Sequence, residues 1–125
     1  HQLAAGPDQE LAAIAAKAAK ESTYHLDYAT LWTLRLGDGT EESHRRMQRA
    51  VDEIWPYTYE LFDGNDLCPG WLATVEPVLA EATLTRPADG GWQPRGGRVG
   101  RHTEHLSRLL AEMQVVHRAH PGAQW

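Results

Sequence analysis

Glu21 and His25 stand four residues apart on one face of a long apolar segment, where a carboxylate-bridged di-metal bundle presents its ligands. Such a site takes a Glu from each of two helices and a Glu-x-x-His from each of two others. Residues three apart share a helix face and reach the same metal pair. Glu41-x-x-His44 matches the short pattern, but its register excludes it. In a helical hairpin turning near Asp38, Glu21 and His25 lie about 17 and 13 residues before the turn and Glu41 about 3 after it, an axial offset of roughly 20 Å. Glu41 and His44 therefore read as a solvated first-turn pair. Level with Glu21 and His25, the second helix offers Val51, Asp52 and Trp55. Asp52-x-x-Trp55 stands where Glu-x-x-His is needed, and an indole N–H only donates. The expected reading is a buried polar remnant, Glu21, His25 and Asp52, that binds no metal and satisfies itself, pairs with Lys20 or pairs with residues from another helix. A residual metal site on the same residues is the alternative.

Two further groups could do chemistry. Arg95, Arg98 and Arg101 alternate with Gly96, Gly97 and Gly100, so guanidinium and backbone N–H groups could cradle a phosphate. No Walker pattern accompanies them, and a solvated or interface loop is the simpler reading. His102-Thr103-Glu104-His105 opens a helical pattern, with His102 on its apolar stripe and Glu104 favoured by the helix dipole. These residues, with Trp125 at the end, read as partner contacts.

The elements that position these groups follow from periodicity. Pro7-Asp8 starts a helix whose stripe runs Leu11, Ile14, Ala18, Glu21, His25, Tyr28, Trp32, Arg35 and stops at Gly37-Asp38-Gly39. Thr40 caps a second helix with stripe Met47, Val51, Ile54, Thr58, Leu61, bent by Pro56 and ended by Gly64-Asn65-Asp66. The short connection makes the two antiparallel neighbours. A third helix is expected between Trp71 and Thr85, interrupted or started by Pro77, and a fourth on His102, Leu106, Leu109, Met113 and Val116, ended by Pro121-Gly122. Residues 63–70 and 86–100 read as irregular loops.

The 125 residues suit one domain, and the net charge of −5 argues against a general nucleic-acid binder. Cys68 is the single cysteine, which excludes a disulfide framework and a Cys-based zinc site and points to a reducing cytoplasm. No apolar run reaches the roughly 18 residues of a membrane span. The chain starts with His rather than Met, as a processed or partial chain does.

Several strings resemble the C-type component of bacterial phenylacetyl-CoA epoxidase, the oxygenase of aerobic phenylacetate degradation. They are Lys20-Glu21, Tyr24-His25-Leu26, Leu34-Arg35-Leu36-Gly37-Asp38-Gly39-Thr40, Trp55-Pro56-Tyr57-Thr58 and Glu60-Leu61-Phe62. The tail is most specific: Gly100, His102-Thr103-Glu104-His105-Leu106, Leu110-Ala111-Glu112-Met113-Gln114 and Pro121-Gly122-Ala123-Gln124-Trp125. The resemblance implies an all-α, ferritin-like helical bundle and a structural, non-catalytic role. In that family the A subunit holds the di-iron centre and binds the CoA thioester, the B subunit bridges the assembly, and a reductase delivers electrons from NADPH. This chain would then bind no cofactor itself and would assemble with A and B subunits. Such components are about twice as long, so residues 1–125 correspond to the C-terminal half of a ferritin-like domain, with the N-terminal helices absent and a loop after Phe62 shortened. Half a bundle leaves an apolar face to be covered. A di-iron oxygenase component that keeps its metal and a free-standing helical interaction module are the competing readings.

Overall fold

The computed structural model describes residues 2–124. Five α-helices carry the fold: α1 Gln9–Gly37, α2 Glu41–Thr58, α3 Cys68–Glu81, α4 Glu104–Met113 and α5 Val115–Ala119. Single 3-10 turns stand at Leu3–Ala5, Tyr59–Phe62 and Gly97–Val99, and no strand occurs among the described residues. The all-α expectation is met. No helix among the described residues is long and apolar enough to cross a membrane. Trp125, expected to anchor a partner, lies outside the described residues.

Both expected N-caps form. Asp8 Oδ1 accepts the backbone N–H groups of Glu10 and Leu11 at 3.1 and 3.0 Å, and Thr40 Oγ1 accepts that of Ser43 at 3.2 Å. Pro56 sits inside α2 without ending it; three residues later the helix tightens into the 3-10 turn. Pro77 likewise lies within α3, neither starting nor interrupting it, and α3 begins at Cys68, so the end of the expected 63–70 loop is helical. His102 precedes α4 rather than lying on it, and the single fourth helix is split at Gln114.

The core lies between α2 and α3. Val51, Trp55, Leu79, Ala82 and Leu84 are buried, with Leu34, Met47, Trp71, Leu72 and Val75 packed around them. Trp55 meets Trp71 at 5.3 Å between ring centroids, and Phe62 meets Trp71 at 5.2 Å. The buried side of α2 is therefore Met47, Val51 and Trp55, whereas Ile54 and Leu61 of the expected stripe are exposed. On α1 the expected stripe, including Glu21 and His25, faces solvent. The partly buried side carries Ala15, Ala19, Thr30, Thr33 and Leu34 and ends at buried Gly37. A helix apolar on more than one side is built to be covered on more than one side. This chain's own helices cover the small-residue side, and the large residues stay outside.

Small residues win that side because the helices close up where they meet. A Cβ on Gly37 would sit 2.8 Å from Ala82 Cβ and collide with the Ala82 carbonyl oxygen. Ala82 is fully buried there, at 0% exposure. Just beyond it, Leu84 N–H bonds Leu79 O at 2.9 Å and Thr83 N–H bonds Ala80 O at 3.1 Å, the paired bonds of a Schellman ending. Thr83 fills the left-handed position at φ 60°, where glycine is usual and a β-branched residue is strained.

The remaining chain is thinly packed. At 29 residues against 18, α1 outruns α2 by roughly ten residues, about 16 Å. There it meets the Leu3–Ala5 turn, and Leu3 and Leu67 flank a groove along Ala15, Ala19 and Leu26. The accessible surface is 10,079 Å² for a chain of 14.0 kDa, about half again the roughly 6,700 Å² of a compact monomer of that mass.

Gly37→Ala is expected to destabilise the chain by about 2 kcal/mol, because the contact it clashes with is backbone and cannot move aside. Gly70→Ala, in the first turn of α3 with open space around it, should be neutral or stabilising by about 0.5 kcal/mol. Urea unfolding of the two variants checks the contrast; equal midpoints would remove the close approach from the account.

Candidate functional site

The residues nominated for metal chemistry are not assembled into a site. Glu21 and His25 are exposed on α1, and Asp52 is exposed on α2. The expected burial of these three within this chain is thus corrected, since the α1 face that carries Glu21 and His25 has no helix of this chain over it. Asp52 is engaged elsewhere. Its Oδ1 accepts from Gln48 Nε2 at 2.9 Å, and that Nε2 also donates to Thr85 O at 2.9 Å. Gln48 Oε1 in turn accepts Thr85 N–H at 2.8 Å. Asp52 thereby orients an amide that ties α2 to the segment after α3. Trp55 is buried against α3, so the side chain at the fourth position of Asp52-x-x-Trp55 belongs to the core. Among the described residues no group of three or more His, Cys, Asp or Glu side chains could hold a metal ion. The residues present do not fit a di-iron centre.

His44, read as solvated, is half-buried and structural. Its Nδ1 lies 2.7 Å from the Gly37 carbonyl oxygen, which can only accept, so Nδ1 carries the proton. Thr83 Oγ1 reaches the same carbonyl at 3.4 Å and His44 Nδ1 at 3.3 Å. One imidazole and one hydroxyl thus join the end of α1, the first turn of α2 and the end of α3. Glu41 stays exposed, as expected.

The 86–100 segment holds no α-helix or strand, only the 3-10 turn at Gly97–Val99, and it is fastened at two points. Arg86 lies over the Trp55 ring at 5.2 Å, with Nη2 2.7 Å from Asp89 Oδ1 and Nε 3.0 Å from Glu76. Tyr59 donates its hydroxyl to the same Asp89 oxygen at 3.0 Å. The Arg86 hydrogen bond, then that of Tyr59, holds the Asp89 carboxyl below its ordinary value. The second fastening is Glu60, which accepts the Gly97 N–H at 2.6 Å.

Between these points a cleft of about 510 Å³ opens, lined chiefly by Tyr57, Glu60, Trp92, Arg95, Arg101 and His102. Tyr57 and Trp92 meet edge to face at 5.6 Å. Arg95 and Arg101 therefore share a site with an aromatic wall, while Arg98 turns to Asp63 O at 3.4 Å. Glu104 and His105 are exposed at the start of α4. Its apolar residues Leu109, Leu110 and Met113 are exposed too.

A family model for phenylacetic acid catabolic proteins matches residues 1–125. The chain belongs to that family. It is similar to the Escherichia coli (strain K12) protein named as the C component of 1,2-phenylacetyl-CoA epoxidase, at 42% identity over 134 aligned residues. The match covers 94% of this chain and 54% of the relative, so the chain spans about half the length of the curated relative it matches. The family is described by phenylacetic acid catabolism, and membership in it is consistent with the all-α arrangement described above.

Within this family member, sequence reasoning missed the work of Gln48, Glu60, Arg86 and Thr83. Gln48, Glu60 and Thr83 act through backbone partners 37 to 46 residues away, and Arg86 joins nearby Asp89 to Glu76 and Trp55, none of which periodicity registers. The Pro and Gly content around Thr85 and Gly97 was the one available signal that a loop there needed tying down.

With Glu21 exposed, Glu21→Ala in this chain is expected to change stability by no more than about 0.5 kcal/mol; a larger loss in thermal unfolding would restore burial. Asp89 gives the second expected outcome. A carboxyl with a lowered folded-state pKa adds stability that is present above the ordinary value of 3.8 and is lost as pH falls through the lowered value. Asp89→Asn should therefore flatten the acid limb of the stability–pH curve and leave its shape near pH 7 unchanged, as followed by circular dichroism.

Proposed function

We propose that this chain is a structural, non-catalytic component of an oxygenase that epoxidises the ring of phenylacetyl-CoA. In this reading a separate A subunit holds the di-iron centre and binds the thioester, a B subunit bridges the assembly, and a reductase feeds electrons from NADPH. This chain binds no cofactor and works in the cytoplasm, where Cys68 stays a thiol.

One observation carries the reading: the position that would complete a ligand set with Glu21 and His25 holds Asp52-x-x-Trp55. Trp55 is committed to the core and Asp52 to the Gln48 amide. The similarity to a component of an epoxidase supports the assembly, while the uncovered surface is what half a bundle leaves for its other half or for a partner. The excess over a compact monomer is about 3,400 Å². A standard interface needs only about 800 Å² per partner. Exposed Leu, Tyr and Trp on that scale need covering, by the remaining helices of the bundle or by a partner.

The test is co-expression with the catalytic subunit, followed by purification and elemental analysis. The two are expected to co-purify, with iron following the catalytic subunit and none bound stoichiometrically by this chain. Stoichiometric iron on this chain, lost on Glu21→Ala, would overturn the non-catalytic reading in favour of a retained metal site. Deleting residues 123–125 should weaken co-purification, because Trp125 is an aromatic residue of the type that anchors interfaces. Unchanged complex yield and epoxidation would remove the tail from the contact.

A further inference from the structure

We propose that the cleft between the end of α2 and the 92–103 segment receives an acidic segment of a protein partner, seated against Tyr57 and Trp92 and held by Arg95 and Arg101. The inference rests on the scaffold reading and gives that scaffold a specific docking point.

Charge is the first argument. Arg45, Arg46, Arg49, Arg86 and Arg108 each have a carboxylate within ion-pair distance. None of Arg95, Arg98 and Arg101 has one among the described residues, nor do Arg35 and Arg118, but only the first three cluster, within seven positions of a chain whose net charge is −5, and of these Arg98 bonds Asp63 O. The acid in the cleft lining, Glu60, is already bonded to Gly97 N–H. Carboxylates brought by a partner would find bidentate donors there, with the one anion of the lining turned to Gly97 N–H rather than to a guanidinium.

The second argument is the wall. Trp92 is 66% exposed and Tyr57 42%, held edge to face, and Trp, Tyr and Arg are the residue types that dominate binding energy at protein interfaces. The third is continuity. Leu106 lines the cleft and belongs to α4, whose exposed Leu109, Leu110 and Met113 prolong the surface away from the cationic end. A partner that puts carboxylates into the cleft can lay apolar side chains along α4.

A phosphate cradle is the weaker assignment for the same arginines. Phosphate loops aim several backbone N–H groups at the anion. Here Gly97 N–H goes to Glu60, Val99 and Arg101 N–H both go to Gly96 O, and Gly100 N–H goes to Gly97 O. Four of the loop's backbone donors are thus engaged within the chain, which leaves the side-chain guanidinium groups as the main donors, suited to a carboxylate-bearing segment.

The experiment measures affinity of the full chain for the co-purified catalytic subunit at about 0.05 and about 0.5 M salt. Arg95→Gln with Arg101→Gln should weaken binding roughly tenfold or more at low salt and flatten the salt dependence. Trp92→Ala should weaken it at both salts, and the control Arg45→Gln with Arg46→Gln should bind as wild type. Cleft variants with wild-type affinity and salt dependence would overturn the docking point while the scaffold reading stands. Binding of ADP or inorganic phosphate that is lost in the double Arg variant, with partner affinity unchanged, would make the cleft a phosphate site and also overturn it. Failure of the wild-type chain to bind the catalytic subunit at all would remove both readings together.

Discussion

The contact on which the structure turns is backbone against backbone: Gly37 at the end of α1 against Ala82 at the end of α3, with no room for a side chain between them. Three helix ends meet there. The Gly37 carbonyl would be an orphan of the helix terminus, half-buried with no helical donor, were it not for His44 Nδ1. Thr83, held at a backbone angle that costs a β-branched residue about 1–3 kcal/mol, places its hydroxyl on the same pair. Everything in the small core sits just above this junction: Leu79 and Leu84 flank the Schellman turn, and Val51 and Trp55 face them from α2. If the junction were loosened, α3 would lose its angle and the core one of its two walls.

From that junction the molecule becomes less self-sufficient with distance. The end of α1 is covered; its start runs past α2. The irregular segment after α3 is pinned by single side chains, Arg86 and Glu60, rather than by packing. The chain therefore has one rigid end and broad exposed apolar surfaces elsewhere, a distribution suited to a part whose shape is completed by contact.

Much of the fold was legible in the sequence. Caps at Asp8 and Thr40 and the break at Gly37-Asp38-Gly39 are local signals, and the helices follow from them. The buried face of α1 was not legible. Its large apolar residues and its small ones lie on different sides, and hydrophobicity alone favours the large ones. Close approach favours the small ones, and Gly37 against Ala82 decides the matter. Glu21 and His25 follow the same division: they lie on the stripe that sequence periodicity marks as inner and that this chain's own helices leave uncovered. Trp55 was seen correctly as no ligand, but its true neighbours on α3 come from a helix that carries no periodic mark strong enough to place it. The Arg/Gly loop was recognised as a loop, while its internal partner Glu60 depends on a contact 37 residues away that no local pattern encodes.

The break at Gln114 and the exposed apolar side of α4 have a kinetic consequence. A ten-residue helix followed by a five-residue one falls short of the length at which an isolated helix is stable in water, and its neighbours here do not cover it. The tail is therefore a separate cooperative unit from the three-helix junction, opening at little free-energy cost while the junction stays closed. Its amide hydrogens should exchange with solvent long before those around Leu79. Assembly would then run in order, a pre-formed hairpin first and a tail that completes its helix only as it settles against another surface, so that the rate of association is set by capture and the lifetime by the ordering that follows.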